Sequence, residues 1–319
     1  MDRQLRFSPA ALVTVVCWGT SFVATRVALT WLTPAALVTS RLVLGLATLL
    51  AIARIGRSVR RLDPQDRLRC LLLGAILAGH LLLQNSGLLR TTATHTGWII
   101  GFIPAMIALG SVVLLGERLA PRGWCGIALG AAGVALVCLS SGLRFSAATV
   151  GDLMQLLSCV TWTVFTLLSV RPIVHSGALP VTIWTIGVAA VIAALIETTG
   201  LLNPDAAVRG GQWSVGPATA GPLLAVVFLG AVSSGAAYVL WNVAIRSIGS
   251  SATGAYLYLE PFATLLAAQI VLGERLTWMG VCGGIVVLGG VALVGPARRP
   301  ARTAPTAGPA PATDGPQRQ

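Results

Sequence analysis

One acidic residue, Glu260, stands inside a long apolar run. A charge at the centre of a spanning helix costs several kcal/mol on insertion scales, so such a residue must face protein or water. There it can exchange a proton with a cation or substrate. Tyr256 and Thr264, four residues to either side, place a polar stripe along the same helix face. The alternative is a protonated or hydrogen-bonded Glu260 that braces the kink at Pro261. Pro261 has a counterpart in Pro104. Each removes one backbone donor and displaces the carbonyl four residues earlier, here those of Leu257 and Ile100. Paired interruptions of this kind mark binding sites in transporters, although they can also do no more than shape packing.

Other polar residues fall in apolar runs as well. Arg41 could read a carboxylate or phosphate, pair with Glu260, or extend to the interface. His80 and Gln84 share a face, with Asn85 beside them, and Ser234, Tyr238, Trp241 and Asn242 repeat the pattern later in the chain. Asn85 and Asn242 either line a cavity or form interhelical hydrogen bonds, worth roughly 0.6 to 2 kcal/mol in membranes. Trp18, Trp98 and Trp162 could stack on a solute or close a gate. The candidate cavity set is therefore Trp18, His80, Gln84, Asn85, Trp98, Trp162, Tyr238, Trp241, Asn242, Tyr256 and Glu260, with Pro104 and Pro261 as kinks. Glu117-Arg118 and Glu274-Arg275 sit in tight turns, where they are expected to cap helices.

Catalytic and cofactor signatures are missing. The chain has no HExxH, no GxSxG, no paired carboxylates and no Walker motif, so neither an enzyme nor direct ATP drive is indicated. The six cysteines form no CxxC and read as small buried apolar residues; no metal or other cofactor is expected.

The elements that must position these residues follow from composition. Of 319 residues, 55% are hydrophobic and 10% charged, against about 25% charged in a soluble domain. Ten apolar runs are each about long enough to cross a bilayer. They lie near 9–29, 34–53, 70–89, 94–115, 122–140, 151–170, 180–200, 218–245, 250–271 and 278–296. All 22 basic residues are Arg, which gives the net charge of +12. With the N-terminus inside, 16 fall in cytoplasmic segments and 4 outside. The positive-inside rule then places both termini in the cytoplasm, and the charge needs no nucleic-acid partner. The densest basic segment is the loop 54–69. The Pro- and Arg-rich tail 297–319 is expected to be disordered.

Residues 83–137 align without a gap on 240–294, with 19 of 55 positions identical. Asn85 pairs with Asn242, Gly97 with Gly254, Pro104 with Pro261, Gly126 with Gly283, and the string Leu-Gly-Glu-Arg-Leu at 115–119 recurs at 272–276. Five helices per half is an odd number, so the second copy is inverted with respect to the first. The expected plan is an all-α membrane protein of two inverted five-helix repeats, 9–140 and 151–296, with a short cytoplasmic segment 1–8.

These motifs carry a resemblance. The duplicated unit, Trp18-Gly19-Thr20-Ser21-Phe22, Leu259-Glu260-Pro261 and the two Leu-Gly-Glu-Arg-Leu strings are similar to the EamA family of the drug/metabolite transporter superfamily, over about 10–296. The second half departs at Trp162-Thr163-Val164, which lacks the Gly-Thr-Ser that follows Trp18. The resemblance implies a secondary transporter in the cytoplasmic membrane that exports amino-acid-like metabolites or drug-like solutes by alternating access. Uptake or nucleotide-sugar-like exchange is the alternative, and a membrane-embedded enzyme a distant one. The expected partners are a small-molecule substrate and the lipid bilayer; the oligomeric state, monomer or homodimer, stays open.

Overall fold

The computed structural model describes residues 8–56, 62–116, 119–140, 146–199 and 220–294, and every regular element among them is a helix. Parts of the basic loop (57–61), the Glu117-Arg118 pair and the 297–319 tail lie outside these residues.

The chain runs through α1 (Pro9–Ala28), α2 (Pro34–Ile55), α3 (Pro64–Arg90), the broken pair α4 (Ala93–Ile100) and α5 (Ile103–Leu115), and α6 (Pro121–Ser140). The second half holds α7 (Ala147–Ser176), α8 (Ala178–Thr199), α9 (Ala220–Val227) and α10 (Ala237–Ile248), the last two joined by a π segment, Phe228–Ala236. It closes with α11 (Ser250–Ala255), a 3₁₀ turn (Tyr256–Leu259), α12 (Glu260–Ala267), a second π segment (Ala268–Leu272) and α13 (Trp278–Val294). Nine stretches among the described residues are long and apolar enough to cross a membrane, and α13 is a shorter apolar helix of 17 residues. Helix α7 runs to Ser176, six residues beyond the expected end of the sixth span at residue 170.

Local chemistry sets these boundaries. Ser8, Thr33 and Asp63 accept hydrogen bonds from the backbone N–H groups of Ala11, Ala36 and Gln65, and a proline stands in each following first turn. A side-chain acceptor followed by proline is a favoured helix start, because the proline's missing N–H would have no partner there. Gly116 and Gly273 end the two Pro-broken helices with φ of 65° and 64°. Both belong to the duplicated Leu-Gly-Glu-Arg-Leu string, whose glycine provides the left-handed cap.

Helix α6 packs tightly along α13, α3 packs on α7 and α8, and α2 packs on α8 and the first π segment. The α6/α13 seam fixes the relation between the halves. A Cβ on Gly126 would stand 2.5 Å from the Gly290 carbonyl oxygen and 2.9 Å from the Val294 nitrogen. A Cβ on Gly283 would meet the Gly133 carbonyl at 3.0 Å and the Val137 nitrogen at 2.9 Å. Each contact is the other displaced by the repeat offset, and the two helices run antiparallel. Reciprocal contacts between antiparallel mates arise from a two-fold axis perpendicular to the helices. Only glycine permits this approach, which brings backbones together where no hydrophobic effect operates between helices.

Candidate functional site

Where α1, α3, α4, α7, α10 and α12 converge, a cavity of ≈ 40 Å³ remains. A single water needs about 10–15 Å³ by the same measure, so the space holds roughly three. Four pairs of repeat mates line it: Trp18 and Trp162, Leu81 and Tyr238, Ile100 and Leu257, Ile103 and Glu260. The cavity therefore straddles the pseudo-two-fold axis. Its polar lining breaks the symmetry, because Tyr238 faces Leu81 across the axis and Glu260 faces Ile103.

Helix α12 begins at Glu260, after the 3₁₀ turn tightens the chain ahead of Pro261. The Glu260 N–H donates to the Leu257 carbonyl. This corrects the expectation that Pro261 leaves the Leu257 carbonyl free: the tighter turn supplies a donor three residues on. Glu260 is 3% exposed, and its carboxylate makes no hydrogen bond or ion pair with any described residue. Gly19 lets α1 come up to this point, since a Cβ there would lie 2.7 Å from the Glu260 carbonyl oxygen. The conspicuous string in α1 thus has a physical basis. The Trp18 indole N–H donates to the Ser233 carbonyl at 3.1 Å, Gly19 admits α12, and Ser21 lines the cavity.

Arg41 also lines the cavity, at 3% exposure. Its Nε donates to Ser234 Oγ at 2.9 Å and its Nη2 to Ser233 Oγ at 3.1 Å, both in the π segment. It makes no ion pair with Glu260 or with any other described carboxylate. His80 lies 3.1 Å through Nδ1 from both the Ser158 carbonyl and Thr161 Oγ1. A carbonyl only accepts, so the proton sits on Nδ1. In the neutral ring Nε2 is then an acceptor.

Of the candidate residues, Trp18, His80, Gln84, Trp162, Tyr238 and Glu260 meet at this cavity. Trp241 lies behind it, fully buried, with its ring 5.0 Å from Trp18 and 6.0 Å from Trp162. The others stand apart from the lining. Asn242 donates to Thr182 Oγ1 at 2.7 Å, because its helix face turns toward α8. Asn85 is buried with no side-chain partner among the described residues. Trp98 packs over Gly284, where its ring occupies the space a Cβ would need. Tyr256 turns to the start of α1 and accepts a hydrogen bond from the Ser8 N–H at 2.8 Å. Thr264 donates to the Gly19 carbonyl at 3.0 Å, so two members of the expected stripe tie α12 and its 3₁₀ turn to α1. Pro261 is buried against Gly101, whose Cβ would meet it at 2.9 Å, while Pro104 opens α5. Ser233 carries no sequence signal for the cavity; a π segment alters which face a residue presents, so ordinary helical spacing misplaces it.

Glu274 does cap a helix, in another repeat unit. Its two carboxylate oxygens accept from the Ala93 and Thr94 N–H groups at 3.0 and 2.8 Å, at the start of α4.

Comparison with known proteins agrees with this architecture. Residues 8–139 and 149–295 each match the EamA-like transporter family. The chain is 28% identical over 289 residues to a probable terminal-alkyne amino-acid exporter of Streptantibioticus cattleyicolor, covering 89% of this chain and 92% of that one. It is 28% identical over 287 residues to an uncharacterized transporter of Archaeoglobus fulgidus, covering 88% and 94%. A solved crystal structure shares the fold with a TM-score of 0.66 at 23% identity, over 89% of this chain and 94% of the other. With matches in both halves and cavity-lining mates around one axis, this multi-pass membrane protein belongs to the EamA-like transporter family.

Proposed function

We propose that the protein is a secondary transporter of ten spanning helices, α13 being the tenth, with both termini in the cytoplasm. It exports small amino-acid-like or drug-like solutes by alternating access, and Glu260 exchanges a proton with the solute. The observation that carries this reading is the Glu260 carboxylate, buried without a partner among the described residues in a cavity astride the axis that relates the halves. A buried ionised acid without a counter-charge is strongly disfavoured, so binding a proton or a cationic solute there is stabilising in alternation. The amino-acid choice is favoured by the Streptantibioticus relative, a probable amino-acid exporter. The excess of Arg in the segments assigned to the cytoplasm supports the orientation.

The test is transport by reconstituted vesicles with an imposed pH gradient, over a panel of amino acids, other metabolites and antibiotics. Wild type should move at least one solute faster with the gradient. Glu260→Gln should lose that acceleration, and any solute exchange it retains should no longer respond to the pH gradient. Coupling that survives the substitution would overturn the proton role, and failure to move any solute would overturn the exporter reading.

A further inference from the structure

The cavity contains an acid and a base, Glu260 and Arg41, that do not pair with one another. Arg41 donates to two serine hydroxyls through Nε and Nη2, which leaves Nη1 and one Nη2 proton with no described partner. Glu260 enters from α12 with no side-chain partner among the described residues. A folded interior does not hold either group cheaply in an unpaired, ionised state. A side chain needed only to hold the π segment against α2 would not have to be ionic. A glutamine, whose amide nitrogen stands as far along the side chain as the arginine Nε, could bond Ser234 without a buried charge.

Resting on the transport reading of this site, we propose that Arg41 and Glu260 are the two poles of a zwitterion site. The Arg41 guanidinium takes the carboxylate of a small neutral amino acid, and the Glu260 carboxylate takes its ammonium. The two serines fix the plane of the guanidinium, so that its remaining N–H groups present a fork that matches a carboxylate. Trp18, Trp162 and Tyr238 supply apolar surface for the side chain. With room for only about three waters, the cavity is smaller than any amino acid, so the solute is seated only as the halves part. A zwitterion fits this lining better than a simple cation or anion, because either of those satisfies one pole and leaves the other buried and unpaired.

Three probes of matched size read the two poles separately: L-norvaline, L-norvalinamide, which lacks the carboxylate, and pentanoate, which lacks the ammonium. Counterflow of labelled norvaline into proteoliposomes carrying the full chain measures how strongly each competes. In wild type, norvalinamide and pentanoate should each compete about tenfold or more weaker than norvaline, as expected for the loss of one charge-assisted contact. Arg41→Gln, whose amide nitrogen can take the place of Nε against Ser234, should weaken norvaline by about tenfold or more and leave norvalinamide unchanged. That selectivity change is one that a purely structural Arg41 would not produce. Norvalinamide competing as well as norvaline in wild type would overturn the assignment of Arg41, and this comparison does not depend on the variant folding. Pentanoate competing as well as norvaline would overturn the assignment of Glu260. If wild type moves antibiotics or other solutes but not norvaline, the zwitterion site falls and the exporter stands; if it moves nothing, both fall.

Discussion

The α3/α7 seam and the seam of α1 with the π segment and α10 are equivalent under the two-fold, yet they are held in different ways. Along α3/α7, both ends are closed by a carboxylate and a histidine. At one end Asp66 accepts from Ser176 Oγ at 2.7 Å, and His175 Nδ1 lies 2.8 Å away. At the other, Asp152 accepts from Thr91 Oγ1 at 2.5 Å, and its Oδ2 lies 3.2 Å from His95 Nδ1. Between them, Gln155 Nε2 donates to the Gln84 carbonyl at 2.8 Å. Along α1, by contrast, there are neutral bonds to backbone carbonyls, Thr14 to Ala237 at 3.2 Å and Trp18 to Ser233. No ion pair crosses that seam among the described residues. Hydrogen bonds involving ionised groups are roughly twice as strong as neutral ones. One seam is thus fastened at both ends and the other only lightly held, beside an irregular helix that also anchors Arg41. On the proposed transport cycle, the opening motion is expected on the α1 side, with α3/α7 as the fixed frame.

Substitutions can break this contrast, beginning with the largest effect. Asp152→Ala should destabilise the purified protein by about 3 kcal/mol, because Asp152 is fully buried and its removal takes one partner from Thr91 and one from His95. Thermal unfolding in detergent checks this, and a loss below about 1 kcal/mol would count against a fastened seam. Asp66→Asn should cost less, about 1 to 2 kcal/mol, since its His175 partner is half exposed and water can replace it. Trp18→Phe keeps the aromatic packing and removes one neutral bond, so a loss of about 1 kcal/mol is expected, with a changed transport rate. Thr14→Val should be smallest, about 0.5 kcal/mol, with the rate again more affected than stability. If the rate responds to Asp152→Ala more than to Trp18→Phe, the assignment of frame and moving side is reversed.

Much of this plan was legible in the sequence, for identifiable reasons. Apolar run length reports spans directly, and the register of Asn85 on Asn242 and Pro104 on Pro261 reports duplication, which reciprocal glycine contacts at α6/α13 then make physical. The cavity was legible where a residue violates its surroundings, as Glu260 and His80 do. Asn85, Asn242, Trp98 and Tyr256 were expected at the cavity on residue type and helical spacing, but spacing alone does not tell which neighbour a face meets. Ser233 escaped notice because the π segment rotates the helix relative to an ordinary α register. The Asp152 and Asp66 clusters were also invisible, since each joins residues more than fifty positions apart.

The glycine strip between α6 and α13 has one more consequence. Gly126 and Gly133 on one helix meet Gly290 and Gly283 on the other, so each half bears the same surface and that surface fits itself. A chain cut between Ser140 and Ser146 would leave two fragments with a ready means of rejoining, and each could also dimerise with its own kind. The seam is therefore what an ancestor of half the length would need in order to work as a pair of identical subunits inserted in opposite directions.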